Sequence, residues 1–339
     1  MKKSLILLAL AGGAVAGAKV AQWRRLSKLA GMSVVVTGGS RGLGLALARC
    51  AVAHGARVAI CARDPQEVAE ARELLLREYP GAMVLAATCD VTDRSESERF
   101  VSAAVEQFGT LDILINCAGV IQVGPWQSMG TEDYREAIET HVWGPLNMIL
   151  AAHPALRRRR GRIVNIASIG GKIGVPHLLP YTTSKFALVG LSEGLAAELD
   201  QQGITVTTVC PGLMRTGSPR NAWFRGQHRQ EYAWFSIGAS LPGLTVGASS
   251  AARRILAASL ARRRHLVFPL PARLAAIGRE LAPGWTARIS AAVNARLPSS
   301  TEADGPRRRG SESTSPWSPS PLTYLNDRAA NVHNQVPPS

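Results

Sequence analysis

Tyr181 and Lys185 stand four residues apart in the stretch Tyr181-Thr182-Thr183-Ser184-Lys185. On a helix that spacing puts both side chains on one face, where an ammonium beside a phenol favours its anion. Free tyrosine titrates near pH 10, too high for ready proton exchange at neutrality, so the pairing makes general acid–base chemistry accessible. Ser168 lies thirteen residues upstream, across a loop rich in Gly and Pro, and offers a hydroxyl to the same pocket. A Y-x-x-x-K spacing alone is weak, because an aromatic and a solvated lysine share many helix faces. It acquires meaning only if the chain also builds a site that gives these groups work.

The elements that must position them alternate between strand and helix from about Ser33. Val34-Val35-Val36, Arg57 to Cys61, Met83 to Thr88, Leu111 to Ile115, Arg162 to Ala167 and Ile204 to Val209 read as apolar strands, with His265 to Phe268 as a seventh. Between them lie helical patterns at Leu43 to Ala53, Pro65 to Tyr79, Asp93 to Phe108, Thr131 to Leu156 and the Tyr181 helix, which ends near Gly203. Such alternation predicts an α/β fold, a single doubly wound domain on a mostly parallel seven-stranded sheet, with ligands at the carboxyl ends of the strands. The turn Thr37-Gly38-Gly39-Ser40-Arg41-Gly42-Leu43-Gly44 falls between the first strand and the first helix. There, glycines admit a pyrophosphate close to the backbone, and the helix N-terminus offers free N–H groups and partial positive charge.

Taken together, the turn Thr37 to Gly44, Asp90-Val91, Asn116-Cys117-Ala118-Gly119, Ser168, Tyr181 to Lys185, and Pro211-Gly212-Leu213-Met214-Arg215-Thr216 make the chain resemble the short-chain dehydrogenase/reductase family over about Met32 to Phe268. The resemblance implies a Rossmann fold that binds NAD or NADP and moves hydride to or from a carbonyl or alcohol. It implies that Tyr181 is the general acid in reduction and the base in oxidation. Lys185 would hold the nicotinamide ribose and lower the Tyr181 pKa, and Ser168 would hydrogen-bond the substrate oxygen. Asp90 would accept from the adenine edge with Val91 beside it; Asn116, Ala118 and Gly119 would line the adenosine ribose. Pro211, Gly212, Leu213 and Thr216 would cover the nicotinamide. Family members often form homodimers or homotetramers through two long helices.

Cofactor preference has a physical argument. NAD sites commonly carry an acid at the end of the second strand, where it holds the ribose 2′-hydroxyl and repels a 2′-phosphate. Here that strand ends Cys61-Ala62-Arg63, and Arg41 projects from the phosphate turn. Two guanidiniums suit a phosphate, so NADP (NADPH) is the expected cofactor. Asp64 precedes Pro65 and reads as a helix cap. One position departs from the family pattern: His141, in Thr140-His141-Val142-Trp143-Gly144, stands where an Asn usually helps hold a water beside the lysine. Its imidazole either passes protons in that relay or is a satisfied packing group.

The formal charge of +15 lies largely in separated Arg runs at Arg157–Arg160, Arg262–Arg264 and Arg307–Arg309. These lack interleaved aromatics, which argues against nucleic acid as the main partner and leaves an anionic membrane surface open. Five scattered cysteines with no C-x-x-C pair indicate reduced thiols and no metal site. Residues 1–30 contain an uncharged run from Ser4 to Ala18 followed by Lys19, Arg24, Arg25 and Lys28. This reads as an anchor holding the rest at the cytoplasmic face of a membrane. A cleaved signal peptide, or a peripheral start on a soluble cytoplasmic chain, are the alternatives.

Residues 31–268 form the catalytic domain, with a substrate lid over about 213–245. The aromatics Trp223, Phe224, Tyr232, Trp234 and Phe235 suggest a cover for a hydrophobic or lipid-like carbonyl or alcohol, although they equally suit a core or a membrane face. Residues 269–297 read as an amphipathic helical extension, and the Ser-, Pro- and Arg-rich residues 298–339 as a disordered tail. A catalytically idle NADP-binding regulator on the same fold is the alternative function.

Overall fold

A computed structural model describes residues 17, 19–299 and 306–336. Seven parallel strands form the central sheet: β1 (Ser33–Thr37), β2 (Arg57–Ala62), β3 (Val84–Thr88), β4 (Ile113–Asn116), β6 (Arg162–Ile166), β7 (Thr205–Pro211) and β11 (His265–Phe268). Their order is β11-β7-β6-β4-β1-β2-β3. Every residue of β1 and β4 is buried, as expected for strands covered on both faces. The doubly wound α/β expectation holds.

Two cores account for the layers. One face packs α1 (Gly42–Val52), α2 (Pro65–Glu78) and α8 (Ala248–Leu260) through residues such as Leu45, Leu75 and Ile255. The other packs α3 (Arg94–Phe108), α5 (Gly144–Arg159) and α6 (Leu179–Glu198) through Phe100, Met148 and Ala196. Helix starts follow local chemistry. The Asp64 carboxylate accepts from the backbone N–H groups of Gln66 and Glu67, and Asp93 accepts from Glu96. Asp64 is thus the cap that the sequence suggests. Helix α4 (Thr131–Ile138) continues through a π turn at Glu139–Trp143 into α5.

Three short strands, β5 (Gln122–Val123), β9 (Trp223–Phe224) and β12 (Arg308–Arg309), make a small second sheet. A further pair joins β8 (Met214–Arg215) to β10 (Val246–Gly247). Beyond α7 (His228–Gly238) and β11 come α9 (Leu270–Leu281), α10 (Pro283–Asn294) and α11 (Tyr324–Val332).

Two expectations need correction. The tail is ordered over 306–336: β12 pairs antiparallel with β9, and Asn326 and Ala330 of α11 are buried. Its composition misleads because polar and small-residue contacts hold it, and a count of apolar residues does not register these. The folded body begins before residue 31, since Leu26 and Leu29 are buried in the first core. The lid aromatics follow the core alternative that the sequence left open: Tyr232 and Phe235 pack edge-to-face on Phe224 as a small core, and of the five only Trp223 lines the main cleft. The anchor expected at residues 1–30 lies mostly outside the described residues, among which no helix is long and apolar enough to cross a membrane.

Candidate active site

The sheet reverses direction of winding between β1 and β4, the switch point where open α/β sheets bind ligands. The Thr37 hydroxyl accepts from the backbone N–H groups of Cys117 and Ala118 at 3.0 and 3.1 Å, closing the two strand ends into one floor. Glycine is obligatory in this floor. A Cβ on Gly38 would lie 2.7 Å from the Ala118 Cα, and one on Gly44 would lie 2.0 Å from the Gly38 carbonyl oxygen.

From this floor a cavity of about 690 Å³ runs from Arg63 and Asp90 past Gly42 and Ala118 to Ser168 and Tyr181. It is long, polar at one end and floored by glycines, which fits a dinucleotide. Most residues expected to bind one line it, including Ser40, Arg41, Leu43, Val91, Gly119, Pro211, Gly212 and Thr216. Asn116 and Leu213 do not. The Asn116 amide donates to Asn165 Oδ1 at 2.8 Å, Asn165 donates to Ser192, and Thr208 bonds Ser192 in turn, so Asn116 belongs to a buried polar ladder beneath the floor. Leu213 is exposed, and Met214 lines the wall instead.

At the polar end Arg41 forms an ion pair with Glu67, whose other carboxylate oxygen accepts from the Ser40 hydroxyl at 3.1 Å. Glu67, on the first turn of α2, is therefore an acid held against the phosphate turn, which sequence reasoning did not single out. Arg63 is exposed beside it. Asp90 accepts from the Thr92 hydroxyl and N–H, which fixes its carboxylate at the rim.

The other end assembles the chemistry. Ser168 follows β6, and Tyr181 and Lys185 lie one turn apart on α6. Lys185 Nζ donates to the Ile166 carbonyl at 2.8 Å and sits 5.6 Å from the centre of the Tyr181 ring. Burial pushes the Tyr181 phenol up to about 12 against the pull of a hydrogen bond with Ser168, and pushes the Lys185 ammonium down to about 8. The expected lowering of the phenol by Lys185 is not found: only the Ser168 hydrogen bond pulls it down, and desolvation exceeds that pull. A phenol held protonated beside a hydroxyl and an ammonium can give its proton to an oxygen placed among them.

His141 projects from the π turn and is 1% exposed. Its Nε2 accepts from the Val120 N–H at 3.2 Å, which leaves Nδ1 to donate to Ser184 Oγ at 2.8 Å; Ser184 donates onward to the Tyr181 carbonyl. Burial and the neighbouring Lys185 hold its pKa well below the usual range, so the ring is neutral. It stacks edge-on against Tyr181 at 5.5 Å, and a Cβ on Gly119 would lie 2.9 Å from its Nε2. Sequence reasoning missed Asn221, Arg307, Arg309 and Gln335, which also line the cavity. The last three come from the supposed tail, and no local motif marks them.

The short chain dehydrogenase family profile matches residues 32–223, more than half of the chain. The chain is 43% identical over 185 residues to ketoacyl reductase 1, assigned to the granaticin polyketide synthase of Streptomyces violaceoruber; the match covers 54% of this chain and 67% of that protein. It is 32% identical to dehydrogenase/reductase SDR family member 7B of Bos taurus, a match covering 80% of this chain and 85% of the relative. A short-chain dehydrogenase structure from Streptomyces avermitilis superposes with a TM-score of 0.66 at 30% identity, covering 78% of this chain and 97% of that one.

Proposed function

The chain belongs to the short-chain dehydrogenase family, and on that basis we propose that it is an NADP(H)-dependent oxidoreductase interconverting a carbonyl and an alcohol on an apolar substrate. The observation that carries the reading is the convergence of Ser168, Tyr181 and Lys185 at one end of a cleft whose other end is a glycine-floored phosphate turn. A bound nicotinamide supplies or accepts the hydride. Tyr181 Oη protonates the carbonyl oxygen in reduction, and Ser168 Oγ donates to that oxygen as charge builds on it. Lys185, tied to the Ile166 carbonyl, keeps a positive charge beside the phenol as the proton leaves. His141, neutral and with both ring nitrogens engaged, positions Tyr181 through Ser184 and the edge-on ring contact, and the relay role is the less favoured of the two readings. Val120, Ile121 and Met214, which line the same cavity as the tyrosine, support an apolar substrate. The ketoacyl relative suggests that thioester-linked ketones belong in the search.

NADP is favoured over NAD because Arg41 and Arg63 flank the rim where a 2′-phosphate would rest, and Ala62 leaves no acid at the strand end. The test follows nicotinamide absorbance with NADPH and NADH against ketones, aldehydes and ketoacyl thioesters. Tyr181→Phe is expected to lower turnover at least about 100-fold. Arg63→Ala should raise the NADPH KM about tenfold with little effect on NADH, the loss of one charge-assisted contact. Turnover that survives Tyr181→Phe, or an NADPH KM indifferent to Arg63→Ala, would refute the corresponding part.

A further inference from the structure

The phosphate turn already has a partner within the chain. The carbonyl of His333, just past the C-terminus of α11, accepts from the Gly42 N–H at 2.8 Å. Gly42 is the first residue of α1. The negative end of one helix therefore meets the positive end of the other, where an anion would otherwise be favoured. The Asn334 amide donates to the Ser40 carbonyl at 3.2 Å. Gln335, 6% exposed, places its Nε2 2.6 Å from where a Cβ of Gly42 would stand. It thus fills the gap by which a glycine admits a phosphate. Asn221 holds Gln335 there, donating to its side-chain and backbone oxygens at 2.5 and 3.2 Å.

The rest of the segment is built to seat this plug. Gly217 N–H donates to Asn326 Oδ1 at 3.1 Å, and a Cβ on Gly217 would lie 2.4 Å from the Ala330 Cα, so the helix docks where a side chain is missing. At its other end, Arg307 and Arg309 stack on Trp223 with guanidinium carbons 4.2 and 3.6 Å from a ring centre, and Arg307 pairs with Glu136 at 2.7 Å.

Resting on the reading of the cleft as a dinucleotide site, we propose that residues 324–336 are a built-in competitor for the pyrophosphate, which must leave the glycine turn before the cofactor can bind. The plug gives the Gly42 N–H a carbonyl acceptor in place of a phosphate oxygen and fills the space beside Gly42 with the Gln335 amide. It is anchored outside the turn, so it can withdraw while β12 stays paired to β9. Cofactor affinity is then reduced by the fraction of molecules in which the plug is seated.

The test compares NADPH and NADH binding by fluorescence titration in three proteins: the intact chain, a chain ending at Thr323, and the full-length double variant Asn334→Ala/Gln335→Ala. Both altered proteins keep Arg307 and Arg309. They are expected to bind NADPH about tenfold more tightly than the intact chain. Amide hydrogen exchange of 324–336 in the intact chain should speed up on saturation with NADPH. Should the truncated chain fail to fold, the double variant and the exchange measurement still decide. Equal or weaker binding by the variants, or slower exchange of 324–336 with cofactor, overturns the competitor while leaving the dinucleotide site intact. Binding of neither cofactor by any of the three proteins overturns both readings.

Discussion

Lys185 and Tyr181 are shifted in opposite directions by the same cause, and that sets a pH signature. Burial disfavours whichever form is charged, so the phenol holds its proton throughout the neutral range while the ammonium loses its own as pH rises through about 8. For reduction the acid is therefore always present, and the limiting group is the cation beside it. The kcat/KM of carbonyl reduction is expected to be level from about pH 6 to about pH 7.5 and to fall above about pH 8. Lys185→Arg, whose guanidinium stays charged, should abolish that fall in whatever activity it retains. A profile level to about pH 9.5 in the unaltered protein contradicts the assignment. At this scale the sequence carried the meeting of Tyr181 and Lys185 well, because Y-x-x-x-K is a one-turn spacing that survives any tertiary context, and Ser168 lines the same cavity. It carried Asn116 poorly. A residue at a strand end points wherever its lateral neighbours allow, and the neighbours here are Asn165 and Ser192, far away in the chain. The neutrality of His141 was hidden for the same reason, since its two partners come from Val120 and Ser184.

Elements were legible in proportion to their apolar periodicity. The seven strands and their helices fall close to their expected places, whereas α11 lay within a stretch whose composition suggested disorder. That helix docks by Ala330 against the bare Gly217 and by the Asn326 carboxamide, contacts that no hydropathy pattern records. The lid shows the same logic. Its helix α7 is fixed to the loop before Tyr181 by Glu231, which is fully buried; one carboxylate oxygen accepts from His177 Nδ1 at 2.8 Å and the other from Trp234 Nε1 at 2.6 Å. Removing that carboxylate leaves a buried and a half-buried donor without that acceptor. Glu231→Ala is therefore expected to destabilise the protein by about 2–4 kcal/mol in urea unfolding and to raise the KM for an apolar carbonyl more than it lowers kcat. Unchanged stability would mean that the lid is held by its aromatic cluster alone.

For the whole molecule, exposed apolar residues and arginines recur together along α9 and α10. Leu270, Leu274, Ile277 and Leu281 recur at intervals of three and four along α9, and Trp285, Ile289 and Val293 continue at intervals of four along α10; all seven are exposed, Leu281 to 81%. Arg273, Arg279, Arg288 and Arg296 lie on the same two helices and the residues just after them, against the single acid Glu280. Exposed apolar residues at helical spacing beside arginines suit the boundary between headgroups and acyl chains of an anionic bilayer. Residues 1–16 would also favour a membrane by composition, so the α9 and α10 residues must be tested with them in place. The full chain is expected to co-sediment with vesicles containing phosphatidylserine, less so as salt is raised, because screening weakens the arginine contribution while leaving apolar burial. A variant carrying Leu274→Glu, Leu281→Glu and Ile289→Glu keeps the N-terminal run and should lose at least about tenfold in partitioning, since three exposed leucine-sized groups that would enter the lipid are exchanged for charges repelled by the surface. If that variant partitions like the unaltered chain, the N-terminal residues alone account for any attachment and the α9 and α10 residues face something other than lipid.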